Sequence, residues 1–346
     1  MVNLWIGFRA VFQGTGQFNL LDRAEALLSI PVHFTGSAVM LFFVISGFCI
    51  HYPYAAGKRA LQFKSYAVRR LLRIYPAYLV TVGFCLLVEA LLQRAGAGGA
   101  SPLTKVLSTA FMVQNYGAQA GQMVSNPALW SLPVEMEFYL LYPVFLCSFR
   151  CLGAGYTMAA VGLVSACALA LTLSGVTWTG ANFALYWVIW CGGAWLAEAV
   201  RQDKLPLWRW QLWLLVGVAG FAGIYGRLVN LPFAIQNMLW SVPYFFIVWW
   251  GLSRRENSLW LKNSRWRIFL FLGTISYSLY LIHFPFFMLC GLGWAAFFGG
   301  KPWSFLVPLL FSALAVLPAY VLYKFVESPS HNLGRKLGAD WEKGNV

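Results

Sequence analysis

Charge is what this sequence has least of. Asp, Glu, Lys and Arg make up 10% of its 346 residues, whereas a water-soluble domain carries about 25%. Hydrophobic residues reach 60% and aromatics 18%, more apolar surface than an aqueous fold can hide, which excludes a soluble enzyme or binding module. The seven cysteines form no C-x-x-C pair and lie inside or beside apolar runs, so they read as free buried thiols. No His, Cys and carboxylate cluster has ligand spacing, and no metal site is expected. Residues 1–31 contain no basic stretch followed by a continuous apolar one, so no cleavable leader is read there. The glycine-rich "AGAGGAS" at 95–101 follows no strand and reads as a flexible outer turn rather than a phosphate cradle. Barrel-type alternation, repeat periods and nucleic-acid motifs are missing as well.

Long apolar runs are what remain. Nine are long enough to approach a crossing, near 34–50, 74–93, 127–147, 153–174, 181–199, 211–226, 233–252, 268–290 and 303–325. Helices satisfy their own backbone groups in lipid, so the fold class expected is an all-α integral membrane protein, a polytopic bundle of about nine transmembrane helices. If the first run goes from outside to inside, nineteen Lys and Arg fall in inner segments and six in outer ones. Such a bias sets orientation and explains the net charge of +14 without nucleic acid as a partner. Residues 1–346 then form a single membrane domain. Residues 1–33 would be an extracytoplasmic or interfacial segment, and 328–346 a short polar cytoplasmic tail. Residues 1–33 lie outside in this scheme with no span to carry them across, so either they are translocated directly or one span is missing upstream.

Ionisable groups within the spans are functional candidates by default, because burying one costs at least ~2.5–3.5 kcal/mol. Glu135 and Glu137 lie in "LWSLPVEMEFYLLYP" (129–143); being two apart, they point to different sides of a helix, and one of them is expected to face a site. His283 lies in "ISYSLYLIHFPF" (275–286), where a neutral imidazole can take a proton from a hydroxyl or simply bond a backbone carbonyl. His51 ends the first run and reads as a headgroup contact. His331 carries no signal. His33 follows the amphipathic stretch that holds Arg23 and reads as part of an interfacial helix.

The basic stretch "YAVRRLLRIYPAY" (66–78) places Arg69, Arg70 and Arg73 on one turn. Pro76 biases Tyr75 away from helical geometry, so a juxtamembrane helix ending before Pro76 is expected, with the proline opening the span. Arg70 and Arg73 share a face, as do Arg69 and Arg73. Guanidinium forks suit phosphate oxygens; plain inside anchoring is the alternative.

Five blocks in order, "VMLFFVISGFCI" (39–50), "RRLLRIYPAY" (69–78), "LWSLPVEMEFYLLYP" (129–143), "LGTISYSLYLIHFPF" (272–286) and "YKFVESPS" (323–330), resemble the acyltransferase-3 family of membrane O-acyltransferases. The resemblance runs from about Val39 to Ser330. It implies a bundle of about ten helices in the cell (inner) membrane of a bacterium. It further implies transfer of an acyl group, most often acetyl, from cytoplasmic acyl-CoA to a hydroxyl of a carbohydrate, glycolipid or related acceptor. No permanently bound cofactor is implied; acyl-CoA is the donor substrate. The family's R-x-x-R motif, associated with the donor, matches Arg70 and Arg73, with Arg69 beside them. Its W-S-L-x-x-E glutamate matches Glu135, and its S-Y-x-x-Y-L-x-H block matches Ser276, Tyr277, Tyr280 and His283. The family's usual first span, with an arginine, ten residues and a histidine taken as the base, has no match here. Arg23 and His33 are one residue short of that spacing. His283 and His33 are therefore the candidate bases, with Glu135 as an orienting group. A transporter using the intramembrane glutamates is the rival from another class, but the inverted repeats it predicts are not found; an inactive partner subunit is a third reading.

Overall fold

The computed structural model describes residues 19–29, 35–57, 59–116, 123–205, 209–254, 266–302 and 304–344, with no strand among them. Short helix α1 (Leu20–Leu28) opens with a capping box, in which the Asp22 amide donates to Asn19 Oδ1 and the Asn19 amide to Asp22 Oδ2, both at 2.9 Å. There follow α2 (Ala38–His51), α3 (Phe63–Arg94), α4 (Leu103–Ala110), α5 (Ser131–Leu173), α6 (Phe183–Arg201), α7 (Leu212–Leu228) and α8 (Phe233–Ser253). The chain closes with α9 (Arg267–Thr274), α10 (Ser276–Phe298), α11 (Leu306–Leu314), α12 (Val316–Leu322), a single π turn over Tyr323–Glu327, and α13 (Ser328–Glu342). Six helical stretches among the described residues are long and apolar enough to cross a membrane. Their outward faces carry residues such as Leu79, Val80, Leu86 and Leu87 of α3, exposed as lipid-facing side chains should be. The protein is an all-α, polytopic membrane bundle.

At 43 residues, α5 would be about 65 Å long if straight, twice the hydrocarbon thickness of ~30 Å. It is a hairpin. Gly153 sits at φ 82°, ψ 168°, a conformation open to glycine alone at low cost. The fold-back is recorded at the far end, where the Asn115 side-chain amide donates to both Trp130 O (2.8 Å) and Ala181 O (2.7 Å). These carbonyls flank the two ends of α5, so its halves run antiparallel, matching the two runs read on either side of residue 150.

The segments that the charge pattern assigned to alternate sides also gather at two ends of the bundle. At the basic end, Arg150 donates to Arg59 O (3.0 Å), Arg201 to Tyr52 O (3.3 Å), and Arg59 pairs with Glu342. At the opposite end, Glu89 accepts from the Ser101 amide (2.8 Å) and hydroxyl (3.0 Å) and from Ser125 Oγ (3.2 Å). Glu137 there accepts from Tyr116 Oη (2.8 Å) and the Phe183 amide (2.7 Å), capping α6. The glycine-rich turn at 95–101 is thus anchored at Ser101.

One expectation needs correction. The arginine helix does not stop before Pro76: α3 runs unbroken from Phe63 to Arg94 with the proline inside it. Spanning helices tolerate an internal proline, and the turn before it is also held from outside, since Tyr277 of α10 donates its hydroxyl to Ile74 O at 2.8 Å, two residues before the proline. The stretch after Ser328, short and polar, is helical. It is α13, whose Gly334 and Gly338 lie flat on α3; a Cβ on Gly338 would sit 3.0 Å from both Arg69 Cγ and Ser65 Oγ. Small residues four apart let helices approach closely, and Ser65 Oγ donates to Gly338 O at 2.7 Å.

The closest helix contact is between α2 and α6. A Cβ on Gly47 would fall 1.9 Å from Trp190 O, and one on Gly193 the same distance from Val44 O. The contact is reciprocal, backbone against backbone. We expect Gly47→Ala or Gly193→Ala to force the helices apart and destabilise the protein by ~1–3 kcal/mol or more. Gly162→Ala in α5, where a Cβ meets open space, should be neutral or mildly stabilising. Thermal unfolding in a mild detergent compares the three.

Candidate functional site

Around that contact the five sequence blocks converge. Gly47 lets α2 lie against α6, so Ser46 receives the indole N–H of Trp190 at 3.1 Å. Ser46 Oγ in turn donates a short hydrogen bond to Glu135 Oε1. Glu135 is fully buried, at 0% exposure, with the Tyr139 phenol beside it. Its second oxygen, Oε2, has no hydrogen-bond partner among the described residues. One turn of α3 faces this carboxyl. The Arg70 guanidinium lies over the rings of Tyr66 and Tyr139, 5.7 and 5.8 Å from their centroids, a cation–π arrangement. Its Nε likewise has no hydrogen-bond partner among the described residues. Arg73 is exposed, and its charge acts on Glu135, Glu327 and His331. Opposite, Ser278 of α10 donates to Glu327 Oε2 at 2.5 Å.

The three arginines therefore divide. Arg69 is engaged by Glu342 of α13, which also pairs with Arg59 and accepts from Ser65 Oγ at 2.8 Å. Arg70 and Arg73 remain turned toward Glu135 and Glu327. Glu135 and Glu137 point apart as their spacing requires, Glu135 into this cluster and Glu137 to the α6 cap.

His283 stands elsewhere. On α10 it lines a cavity of about 860 Å³, together with Val39, Phe42, Trp130, Phe233 and Tyr280 among others. Its Nδ1 donates to Tyr280 O at 2.7 Å, which fixes the tautomer and leaves the lone pair on Nε2. Tyr280 donates to Ala128 O at 2.5 Å and meets Ser131 Oγ at 2.7 Å, locking α10 to the start of α5. Tyr277 belongs to both regions: it lines this cavity while its hydroxyl bonds Ile74 O, next to Arg73. His33 lies outside the described residues.

His51 is not the headgroup contact expected. The Tyr142, Phe145 and Phe149 rings of α5 pack against its ring, and its exposure is 1%. Nε2 donates to Glu198 Oε2 at 3.1 Å, and Nδ1 meets Tyr142 Oη at 3.2 Å. The pair edges a second cavity of about 470 Å³ at the basic end, which Arg150 and Lys204 also line. Sequence reading passed over this pair, and over Glu89, Ser46, Trp190 and Glu327. Glu89 and Glu198 carry the same signal that marked Glu135, a carboxylate in an apolar run. Ser46 and Glu327 stand within the quoted blocks. Trp190 has no signal beyond its bulk. Among the described residues no group of His, Cys, Asp and Glu could hold a metal ion, and all seven cysteines are free.

An acyltransferase-domain family model matches residues 10–323. The chain belongs to the acyltransferase-3 family. A relative among characterised proteins, nodulation protein 10 of Rhizobium leguminosarum bv. viciae, is 29% identical over 157 residues, covering 41% of this chain and 38% of that protein. This chain thus aligns with well under half of that relative's length. No solved structure matches. Family membership gives the convergence of the five blocks a meaning: residues scattered from Ser46 to Glu327 are brought to one place.

The Ser46–Glu135 bond supplies one prediction. Ser46→Ala leaves a fully buried carboxyl without its hydroxyl donor, which should cost ~1–3 kcal/mol, whereas Glu135→Gln retains the shape and an acceptor oxygen and should cost less. Detergent melting curves of the two variants, run beside the parent protein, check that order.

Proposed function

We propose that this acyltransferase moves an acyl group, most simply acetyl, from acyl-CoA to the hydroxyl of a carbohydrate, glycolipid or related acceptor. The donor enters from the basic, cytoplasmic end. Arg70 and Arg73 hold its phosphates, since paired guanidinium groups match phosphate oxygens and Arg69 is already committed to Glu342. The thioester arm extends along α10 toward the opposite cavity, where the acceptor waits at His283. Nε2 of His283 takes the proton of the acceptor hydroxyl as its oxygen attacks the thioester carbonyl. The C–S bond then breaks, and the departing CoA thiolate recovers that proton from the imidazolium, leaving an O-acyl ester and free CoA thiol. Glu135, anchored by Ser46, sets a negative charge in the field of Arg70 and Arg73.

The observation that carries this reading is the reach of α10. Within seven residues it bears Tyr277 and Ser278, which contact the arginine and Glu327 cluster, and His283, which lines the large cavity. A single rigid element thus joins a cationic pocket suited to a donor's phosphates with a basic nitrogen suited to a hydroxyl.

The test uses purified protein, labelled acetyl-CoA and an acceptor-containing membrane extract. The double substitution Arg70→Ala/Arg73→Ala should lower kcat/KM for acetyl-CoA by at least about tenfold, since a hydrogen bond to a charged group contributes ~1.5–3 kcal/mol, while membrane insertion is retained. Normal activity in that variant would end the proposed role of the arginines. His283→Ala should lower kcat by roughly 10²–10⁴-fold with little change in KM for acetyl-CoA. A fall in donor affinity alone would place His283 outside the chemistry.

A further inference from the structure

The chemistry of the 860 Å³ cavity narrows what the acceptor can be. Its size is that of a pocket for a drug-sized molecule. No Asp, Glu, Lys or Arg is among the described residues lining it. An ionised acceptor placed here would lose its water with no counter-charge among the described lining residues to replace it, at a cost of several kcal/mol. Nor does the lining suit a bare sugar, whose many hydroxyls each need a partner. Several of the polar side chains direct their donor hydrogens at backbone carbonyls. The Asn115 amide donates to Trp130 O and Ala181 O, Ser276 to Gly273 O, Tyr277 to Ile74 O and Tyr280 to Ala128 O. What faces the cavity is chiefly aromatic, with Phe42, Trp130, Phe233 and Phe284 among its walls. His283 stands on the same wall with Nδ1 already bonded, leaving Nε2 as the basic atom. The walls come from α2, α8 and α10 and from the short turns that lead into α5 and α6, at the end away from the Arg150 and Arg201 staples.

From this we infer that the cavity seats a neutral amphiphile, with an apolar chain against the Phe42, Phe233 and Phe284 side and an uncharged hydroxyl-bearing head at His283. The chain supplies binding through burial of apolar surface, about 25 cal/mol per Å² removed from water. The single basic nitrogen selects for a hydroxyl. That the hydroxyl is then acylated rests on the function proposed above; the seat itself rests on the lining alone.

The experiment uses full-length protein in lipid nanodiscs, without acyl-CoA. The probe is dodecyl maltoside carrying a diazirine on its chain, kept below its micellar concentration, and photolabelled residues are mapped by mass spectrometry. Labelling is expected on peptides holding Phe42, Phe233 and Phe284. Unlabelled dodecyl maltoside should compete at least tenfold better than dodecyl phosphate, and maltose should not compete. Equal competition by maltose or by dodecyl phosphate overturns the inference. So does labelling spread evenly over outward residues such as Leu214, Val218 and Phe221, exposed on α7. Val39→Trp, which fills the cavity from α2, should cut labelling at least fivefold, with Val218→Trp on the outer surface as the control; unchanged labelling in a folded Val39→Trp variant also overturns it. A transfer assay separates the two proposals. Cavity labelling without any acetyl transfer rejects the acyl-transfer chemistry and leaves the seat standing. Transfer to maltose as readily as to dodecyl maltoside rejects the seat and leaves the chemistry standing.

Discussion

Two helices touching through bare backbone set the geometry from which the rest follows. With Gly47 on α2 and Gly193 on α6, each would-be Cβ lies 1.9 Å from a carbonyl oxygen of the other helix, so no larger residue fits at this separation. Without a hydrophobic force between helices in lipid, such close van der Waals contact is a main source of association. It also does something more local. By drawing α2 onto α6 it places Ser46 under the Trp190 indole and within reach of Glu135. The carboxyl is thereby held opposite the arginine turn of α3. A spacer one methyl larger would lengthen this whole chain of contacts, because each link is already at hydrogen-bond distance.

The polar groups inside the bundle sort themselves by how completely they are satisfied. Glu89 gathers donors from Ser101 and Ser125, Glu137 from Tyr116 and Phe183, and Glu198 from His51, the Ala56 amide and Gln202. Each joins a loop to a helix or two helices at one end of the bundle. Leaving any of these donors unpaired would cost ~1–3 kcal/mol, which is reason enough for their presence. Glu135 differs. It is the most deeply buried of these carboxylates, yet one of its oxygens has no partner among the described residues, and neither has Arg70 Nε beside it. A structural role would favour closing both. Both atoms lie in one cluster drawn from five separate segments.

How much of this was legible in the sequence follows the range of the forces involved. Apolar runs and the bias of basic residues report burial and orientation residue by residue, so the helices and their grouping at two ends were within reach. The hairpin in α5 was legible too, since Gly153 separates two runs each long enough to cross. Pro76 misled, because the local preference of a proline was outweighed by its neighbours. A hydroxyl from α10, two hundred residues away, lands beside the break. The stretch after Ser328 was legible as polar, not as a contact surface. Its polarity is real, but Gly334 and Gly338 make one face flat, and only the presence of α3 turns that face into a contact. For His51 the decisive partner, Glu198, is 147 residues distant. Sequence spacing marked Glu135, Arg70, Arg73 and His283 as candidates; it had no means of showing that His283 faces a different space from the other three.

That separation shapes any account of transfer. Charge is concentrated on one side, where Arg70, Arg73 and the Arg150 and Arg201 staples lie, and the described lining of the large cavity carries none. In a low-dielectric bundle this partition is itself selective, since a polyanion is stabilised at one end and penalised at the other by the same physics. A phosphate-bearing molecule and an uncharged one can then approach from opposite ends without exchanging places. Tyr277 stands at the boundary, its hydroxyl tied to the arginine helix and its ring lining the cavity. A side chain fixed in that position ties the arginine helix to the cavity wall, so a change in the separation of α3 and α10 is felt in both regions at once.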